Sequence, residues 1–335
     1  MDNQETAARI VRFSKTGGPE VLQIELVEIQ APGPQEVSIR VKAIGLNRAD
    51  TMYRMGVYME QPVFPAKLGY EAAGVVEAVG TEVKGIQVGD KVSVLPAFSL
   101  LQYATYGELI VVPAYTIQKH PAVLSFEEAA AVWTSFLSVY GMLIEAAKLR
   151  AGEYVVITAA SSSAGLAAIQ LTNYAGGIPI AVTSSAGKRE ALLKAGAAHV
   201  ILAGELSLTQ EILKITAGKG ADVALDPVGG PQFAPLVRAI REKGRIFVYG
   251  ALNMTAAEFP TLDVLLKTPT ISGYNAMDVL GNPPVLSAAI QYIIGGIAEG
   301  KLKPIVGRTF PFEQIVEATK YLESNQQMGK IVVTV

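Results

Sequence analysis

The chain has 335 residues, half of them apolar and only 17% charged, which suits two domains with large cores and excludes a disordered or solvating protein. Lys+Arg 28 against Asp+Glu 30 leaves a net charge of −2 with no basic tract, so counterion-release binding to nucleic acid has no electrostatic basis. Cysteine is absent and the only histidines are His120 and His199, which excludes disulfides, thiol nucleophiles, iron–sulfur clusters and any Cys/His zinc centre.

The first residues are polar and lack the apolar core of a signal peptide. The charge-free stretch 154–187 is interrupted by Ser161-Ser162-Ser163, Gln170, Asn173, Gly176-Gly177 and Pro179, so no run of about 20 apolar residues survives. A soluble, cytoplasmic protein is expected. From 1 to 124, short strands such as 37–43, 73–79 and 91–95 are punctuated by Gly80, Gly85 and Gly89-Asp90, the pattern of a β-rich unit. At Ser125 the pattern changes. A serine followed by Glu127 and Glu128 predicts an N-cap with an acidic first turn, opening a helix over 129–147.

Strands at 154–159, 178–183, 199–202, 222–226, 245–249 and 270–273 then alternate with helices at 164–175, 188–195, 208–216, 231–242 and 262–267. Such alternation means βαβ units and a parallel sheet. An amphipathic helix at 286–299 and a β-rich end at 305–310 and 330–335 follow, and the end is more like the first unit than the middle one. The expected fold is α/β. A Rossmann-type doubly wound parallel sheet (125–277) is inserted into a discontinuous β-rich outer domain (1–124 plus 278–335).

The most informative segment runs from Val155 to Leu166, where an apolar strand enters a turn with no side chain larger than serine and opens a helix. Such a turn lets backbone N–H groups and a helix N-terminus approach a pyrophosphate. The spacing G-x-G-x-x-G is reduced here to Ala160, Ser162 and Gly165, so the binding candidates are Ser161, Ser162, Ser163, Ala164 and Gly165. After the second strand comes Thr183-Ser184-Ser185-Ala186-Gly187-Lys188, with no carboxylate before Glu190. Ser184, Ser185 and Lys188 offer donors and positive charge to a 2′-phosphate, which favours NADPH. The turns after the fourth, fifth and sixth strands add Val228, Tyr249, Gly250, Ala251, Leu252, Gly273 and Tyr274, since ligands of open α/β sheets collect at strand ends.

These motifs together resemble the medium-chain dehydrogenase/reductase superfamily, and within it the zinc-free quinone oxidoreductase-like branch. The resemblance is carried by Ala159-Ala160 with Ala164-Gly165-Leu166, Lys194-Ala195-Gly196-Ala197, Gly220-Ala221-Asp222-Val223 and Gly244-Arg245. In the outer domain it is carried by Gly45-Leu46-Asn47 with Asp50, Arg54, Gly56 and Tyr58, by Gly69-Tyr70-Glu71, by Gly89-Asp90-Lys91-Val92 and by Gly329-Lys330-Ile331-Val332. The family likeness implies a GroES-like outer domain and a homodimer, while charge and hydropathy argue for no nucleic-acid and no membrane partner. Zinc members place a cysteine at the position of Asn47 and a histidine at that of Tyr70, so metal-free chemistry is expected. In the family, the segment matching 47–58 lines the substrate side of the nicotinamide. The resemblance therefore marks Asn47, Asp50, Tyr53 and Tyr58 as catalytic candidates, with Tyr58 at the place of a proton-donating tyrosine in related enoyl-thioester reductases. Many quinone reductases carry a tyrosine at the position of Met52; here Tyr53 follows instead. Ser138 matches a hydroxyl that sits near the nicotinamide.

Without a Lewis acid, a conjugated acceptor that spreads charge over an enolate is favoured over a plain carbonyl. The leading expectation is an NADPH-dependent reductase of quinones or α,β-unsaturated carbonyls. An enoyl-thioester or polyketide-type enoyl reductase is the alternative enzyme, and an NADPH-binding sensor or structural protein is the alternative of another class.

Overall fold

Val37, Ile39, Val41 and Ala43 alternate along the strand Glu36–Gly45, and all four are buried, which makes this strand the spine of the first half of the chain. A computed structural model describes residues 6–204 and 207–335. Two compact units divide the chain: one runs up to Thr134 and resumes at Pro304, and the other is Ser135–Lys303.

In the first unit the order across the larger sheet is Val306–Pro311, Lys330–Thr334, Glu36–Gly45, Glu71–Val79, Lys91–Val94 and Ile117–Lys119, with Leu109–Pro113 also paired to Glu36–Gly45. A smaller sheet joins Gln23–Ile29, Thr6–Phe13 and Ala66–Lys67. This is the GroES-like unit. Two helices within it were not legible in the sequence: Arg48–Arg54 and Ile315–Glu323, the latter burying Ile315, Ala318 and Leu322. Gly45 is glycine for a steric reason, since a Cβ there would lie 2.0 Å from the carbonyl oxygen of Ala130.

The helix expected over 129–147 is three pieces, Phe126–Ala129, Trp133–Tyr140 and a π-helical turn Gly141–Ala146. Ser125 does cap the first piece. Its Oγ accepts from Glu128 N at 3.2 Å while Glu128 Oε2 accepts from Ser125 N at 3.0 Å, a reciprocal capping box. Gly141 begins the wide turn, where an added Cβ would meet the Tyr274 hydroxyl at 1.8 Å.

The second unit is a six-stranded parallel sheet in the order His199–Leu202, Ile178–Thr183, Tyr154–Ile157, Ala221–Asp226, Ile240–Val248, Thr270–Gly273. In chain order that is 3-2-1-4-5-6, the doubly wound dinucleotide arrangement, with its switch point between Tyr154–Ile157 and Ala221–Asp226. The helix expected over 231–242 ends at Ala239, because Ile240 already pairs with Ala221 and the register then shifts before Val223 meets Arg245.

The domain limits drawn from sequence need two corrections. Helix Pro283–Ala298 lies in the second unit, not in the outer one. Its Ala289, Ile293 and Ile297 are buried, and Tyr292 meets the rings of Tyr140 and Tyr174 at 5.4 and 4.9 Å. Residues 125–134 belong to the first unit, where Phe126–Ala129 packs on Glu36–Gly45 and Glu71–Val79.

Candidate active site

In the second unit, the segments expected to hold a coenzyme all follow the carboxyl ends of the parallel strands. After Tyr154–Ile157 the chain turns through Ala159, which takes a left-handed φ of 46°. Helix Ser163–Tyr174 then starts with Ser162 as its N-cap, the serine Oγ accepting from Gly165 N at 3.0 Å. Gly165 is the glycine that brings helix and strand together. A Cβ there would lie 2.6 Å from both Cα and O of Ala160, so any larger residue would push the helix off the turn. Lys188, beyond the second strand, reaches the same turn and donates to Ser161 Oγ at 3.1 Å; partial burial lowers its ammonium pKa. Ser184 is exposed, and Ser185 precedes the short turn Ala186–Lys188.

Asp226 ties the switch point together. Buried at the end of the fourth strand, its carboxylate accepts from Thr158 Oγ1 at 2.7 Å, Val228 N at 3.0 Å, Gly229 N at 3.2 Å and Gln232 Nε2 at 3.0 Å. Backbone bonds extend the knot: Tyr249 N to Asp226 O, Leu252 N to Pro227 O, and Tyr274 N to Val248 O. Gly250 packs against Pro227, whose carbonyl oxygen would be 2.9 Å from an added Cβ. The hydroxyls of Tyr249 and Tyr274 are buried yet have no hydrogen-bond partner in the protein, and burial raises the pKa of both, for Tyr249 reinforced by the nearby charge of Asp226. A ligand with polar atoms at these strand ends would satisfy them. Among the sequence candidates, Ala251 and Gly273 are exposed and no residue sits within 4 Å of a Cβ at Gly273. Ser138 lies half-buried on helix Trp133–Tyr140, one turn before the Gly141–Tyr274 contact.

In the first unit, Asn47 and Asp50 are both buried at the start of helix Arg48–Arg54 and form its capping box. Asp50 Oδ2 accepts from Asn47 N at 2.9 Å and from Tyr106 OH at 2.9 Å. Burial pushes the Asp50 carboxyl up to about 7, against the lowering effect of those bonds and of Lys330. The Asn47 amide is fully engaged. Its Oδ1 accepts from Lys330 Nζ at 2.6 Å, and its Nδ2 donates to Gly45 O at 3.1 Å. Lys330 Nζ also donates to Glu71 Oε2 at 2.6 Å, while Glu71 Oε1 accepts from Trp133 N at 2.6 Å and Thr134 N at 3.2 Å. Lys330 and Glu71 are 1% and 0% exposed, so the pair is sealed from solvent.

One catalytic candidate is corrected by this geometry: Tyr53 is 1% exposed and packs edge-on against Phe13 at 5.9 Å, so it is a core residue. Asn47 accepts from Lys330 and donates to the backbone, which ties it into the buried network. Tyr58 remains half-buried in an aromatic row, its ring 6.2 Å from that of Tyr70, which is 5.6 Å from Phe98. Burial raises the pKa of both phenols. Sequence reasoning passed over Glu71, Tyr106, Lys330 and Thr158 as functional groups. Lys330 and Glu71 stood inside motifs that carried the family resemblance, which was the one available signal.

With that geometry in place, residues 33–156 match the family model for the alcohol dehydrogenase GroES-like domain, and residues 195–333 match that for zinc-binding dehydrogenases. The chain is 30% identical over 318 residues to the human synaptic vesicle membrane protein VAT-1 homolog, covering 90% of this chain and 79% of that protein. It is 29% identical over 330 residues to human quinone oxidoreductase, covering 97% of each. Quinone oxidoreductase from Escherichia coli, solved in complex with NADPH, superposes with a TM-score of 0.88 at 29% identity over 98% of this chain and 100% of that one. The chain belongs to the medium-chain dehydrogenase/reductase superfamily, in its quinone oxidoreductase-like branch. One helical run among the described residues, Phe126–Ala146, has the length and apolarity to cross a membrane, but 72% of its window is buried inside the protein.

The zinc named in one matched family does not fit this chain's residues. Asn47 and Tyr70 stand where zinc members place Cys and His, and the available oxygens of Asn47 and Glu71 already receive the Lys330 ammonium. Because both charges are desolvated, removing one strands the other. Lys330→Met or Glu71→Gln alone is expected to lower unfolding stability by about 3–5 kcal/mol, with the double variant losing distinctly less than the sum. Urea titration of the four proteins checks this; additive losses would contradict the pairing.

Proposed function

We propose that this protein is an NADPH-dependent, zinc-independent oxidoreductase that delivers hydride to a quinone or an α,β-unsaturated carbonyl, acting in the cytoplasm as a homodimer. The observation that carries the reading is the donor set of the first unit, where Lys330 occupies Asn47 and Glu71 and leaves hydrogen-bond donors, not a metal, to stabilise the product. Such donors suffice when negative charge is spread over a conjugated system, and fall short when it concentrates on one oxygen.

Residues of the second unit fit a dinucleotide. The Ser161–Gly165 turn and the start of helix Ser163–Tyr174 suit a pyrophosphate. Lys188, with Ser184 and Ser185, suits a 2′-phosphate, and Ser161 is within the reach of Lys188. The orphaned hydroxyls of Tyr249 and Tyr274 supply further donors. Val228 and Gly250–Leu252 are held at the same strand ends by Asp226 and Pro227. When bound, the reduced nicotinamide supplies the hydride; the protein orients and excludes water. On the substrate side, half-buried Tyr58, its ring against that of Tyr70, is the phenol offered as proton donor. Its raised pKa keeps it protonated at neutral pH.

A homodimer is supported by the outer edge of the parallel sheet. Among the described residues, strand Thr270–Gly273 pairs only with Ile240–Val248, and the adjacent helix Thr261–Lys267 exposes Leu262, Leu265 and Leu266 at 72%, 68% and 77%. Light scattering is expected to give twice the chain mass; a monomer at micromolar concentration would remove this part of the proposal.

The decisive assay is NADPH oxidation by the whole chain with benzoquinones, naphthoquinones, alkenals and enoyl-CoA esters. Acceptor-dependent consumption supports the enzyme reading, whereas thermal stabilisation by NADPH without turnover on any acceptor supports a binding protein. Lys188→Glu is expected to weaken NADPH at least tenfold more than NADH, and equal losses would contradict the 2′-phosphate assignment. Tyr58→Phe is expected to slow reduction of an enoyl substrate at least tenfold while quinone reduction survives, because solvent can protonate the hydroquinone anion left by hydride transfer. An unchanged enoyl rate retires Tyr58 as proton donor.

A further inference from the structure

Helix Arg48–Arg54 turns three polar side chains toward one small enclosed space. The cavity measures about 10 Å³ and is walled by Leu46, Leu68 and Leu322 together with Asp50, Thr51 and Arg54. Those three polar residues are 3%, 6% and 1% exposed. Asp50 Oδ1, Thr51 Oγ1 and Arg54 Nη1 are all buried, and none has a partner in the protein. The other polar atoms of Asp50 and Arg54 are committed. Asp50 Oδ2 accepts from Asn47 N and Tyr106 OH, each at 2.9 Å; Arg54 Nε donates to Gly17 O at 3.0 Å and Nη2 to Glu323 Oε1 at 2.6 Å. Buried polar groups are normally paired, and here three unpaired atoms belong to residues that line a single cavity.

We propose that this cavity is a binding site for one water molecule that bridges Asp50, Thr51 and Arg54. A guanidinium only donates, an unprotonated carboxylate oxygen accepts, and a hydroxyl does both. One water accepting from Arg54 Nη1 and donating to Asp50 Oδ1 and Thr51 Oγ1 gives each of the three atoms a partner, with the three bonds usual for a buried water. The size agrees, since a single water needs roughly 10–15 Å³ of such space. A cation is disfavoured because the guanidinium charge of Arg54 shares the cavity, and an apolar guest would leave the three groups unsatisfied. Arg54 also lines a surface pocket of about 240 Å³ with Thr16, Gly17, Gly18, Met55 and Glu323.

The consequence is positional. Asp50 holds the N–H of Asn47, and Asn47 receives Lys330; a water on Oδ1 fixes the carboxylate that fixes the cap. Lys330 and Glu71 act on Asp50 through their charges, and Tyr106 through its hydroxyl, while Glu323 is paired to Arg54. This site goes beyond the proposed reaction and does not depend on which acceptor is reduced.

A crystal structure of the whole chain, at a resolution that shows ordered solvent, is the test. Density for a water within about 3.2 Å of Asp50 Oδ1, Thr51 Oγ1 and Arg54 Nη1 is the expected result. A dry cavity, or Arg54 rotated to pair directly with Asp50, overturns the proposal. Thr51→Val keeps the volume and removes the hydroxyl, so its melting temperature is expected to fall by about 2–4 °C, whereas Thr51→Ser keeps the water in place. A valine variant with unchanged melting temperature and an undisturbed water would also overturn the assignment.

Discussion

The ammonium of Lys330 and the carboxylate of Glu71 are both out of water, and in that setting each requires the other. Their contact does more than cancel charge. Glu71 spends its second oxygen on the N–H groups of Trp133 and Thr134, where a helix begins and backbone donors are otherwise unpaired. Lys330 spends a second proton on Asn47, whose backbone N–H is held by Asp50, which is held in turn by Tyr106. Starting positions of a strand at each end of the unit, a helix cap and the first turn of another helix are thereby fixed by one desolvated ion pair. Apolar packing alone would supply stability here but not this set of directions.

The second unit uses a different device for the same purpose. Asp226 carries no buried cationic partner; it is satisfied by two backbone N–H groups, a threonine hydroxyl and a glutamine amide. That knot sets the path of the chain at the switch point of a parallel sheet, where small residues let backbone come close to a ligand. The lost glycines of the phosphate turn are intelligible on these terms. The position that cannot carry a Cβ, Gly165, is retained, because the carbonyls of Ala159 and Ala160 lie 2.7 and 2.6 Å from where that atom would be. Ala159 takes up a left-handed conformation itself, and Ser162 provides the helix cap.

Much of the α/β half was legible because its signals are local. The strands at 178–183, 199–202 and 270–273 were read to the residue, since short apolar runs bounded by turn residues mark buried parallel strands. Ser125 was readable as a cap for the same reason. Helix Arg48–Arg54 was not, because its seven residues are too few to show a helical period. The ion pair was invisible for a different reason: Lys330 lies 259 residues from Glu71 and 283 from Asn47, and nothing in local pattern reports so distant a contact. Tyr53 shows the opposite failure. Its place beside Asp50 suggested chemistry, but only packing against Phe13 distinguishes a core phenol from a reactive one.

The proposed zinc-independent reaction relies on an internal ammonium and hydrogen-bond donors, so it is expected to run without divalent metal. The most direct measurement is the rate of NADPH oxidation with a naphthoquinone before and after exhaustive chelation, alongside native mass spectrometry of the purified chain. An unchanged rate and no bound metal ion at any stage are expected. Stoichiometric zinc in the active protein, with turnover lost on chelation and restored by adding zinc back, would contradict the proposal.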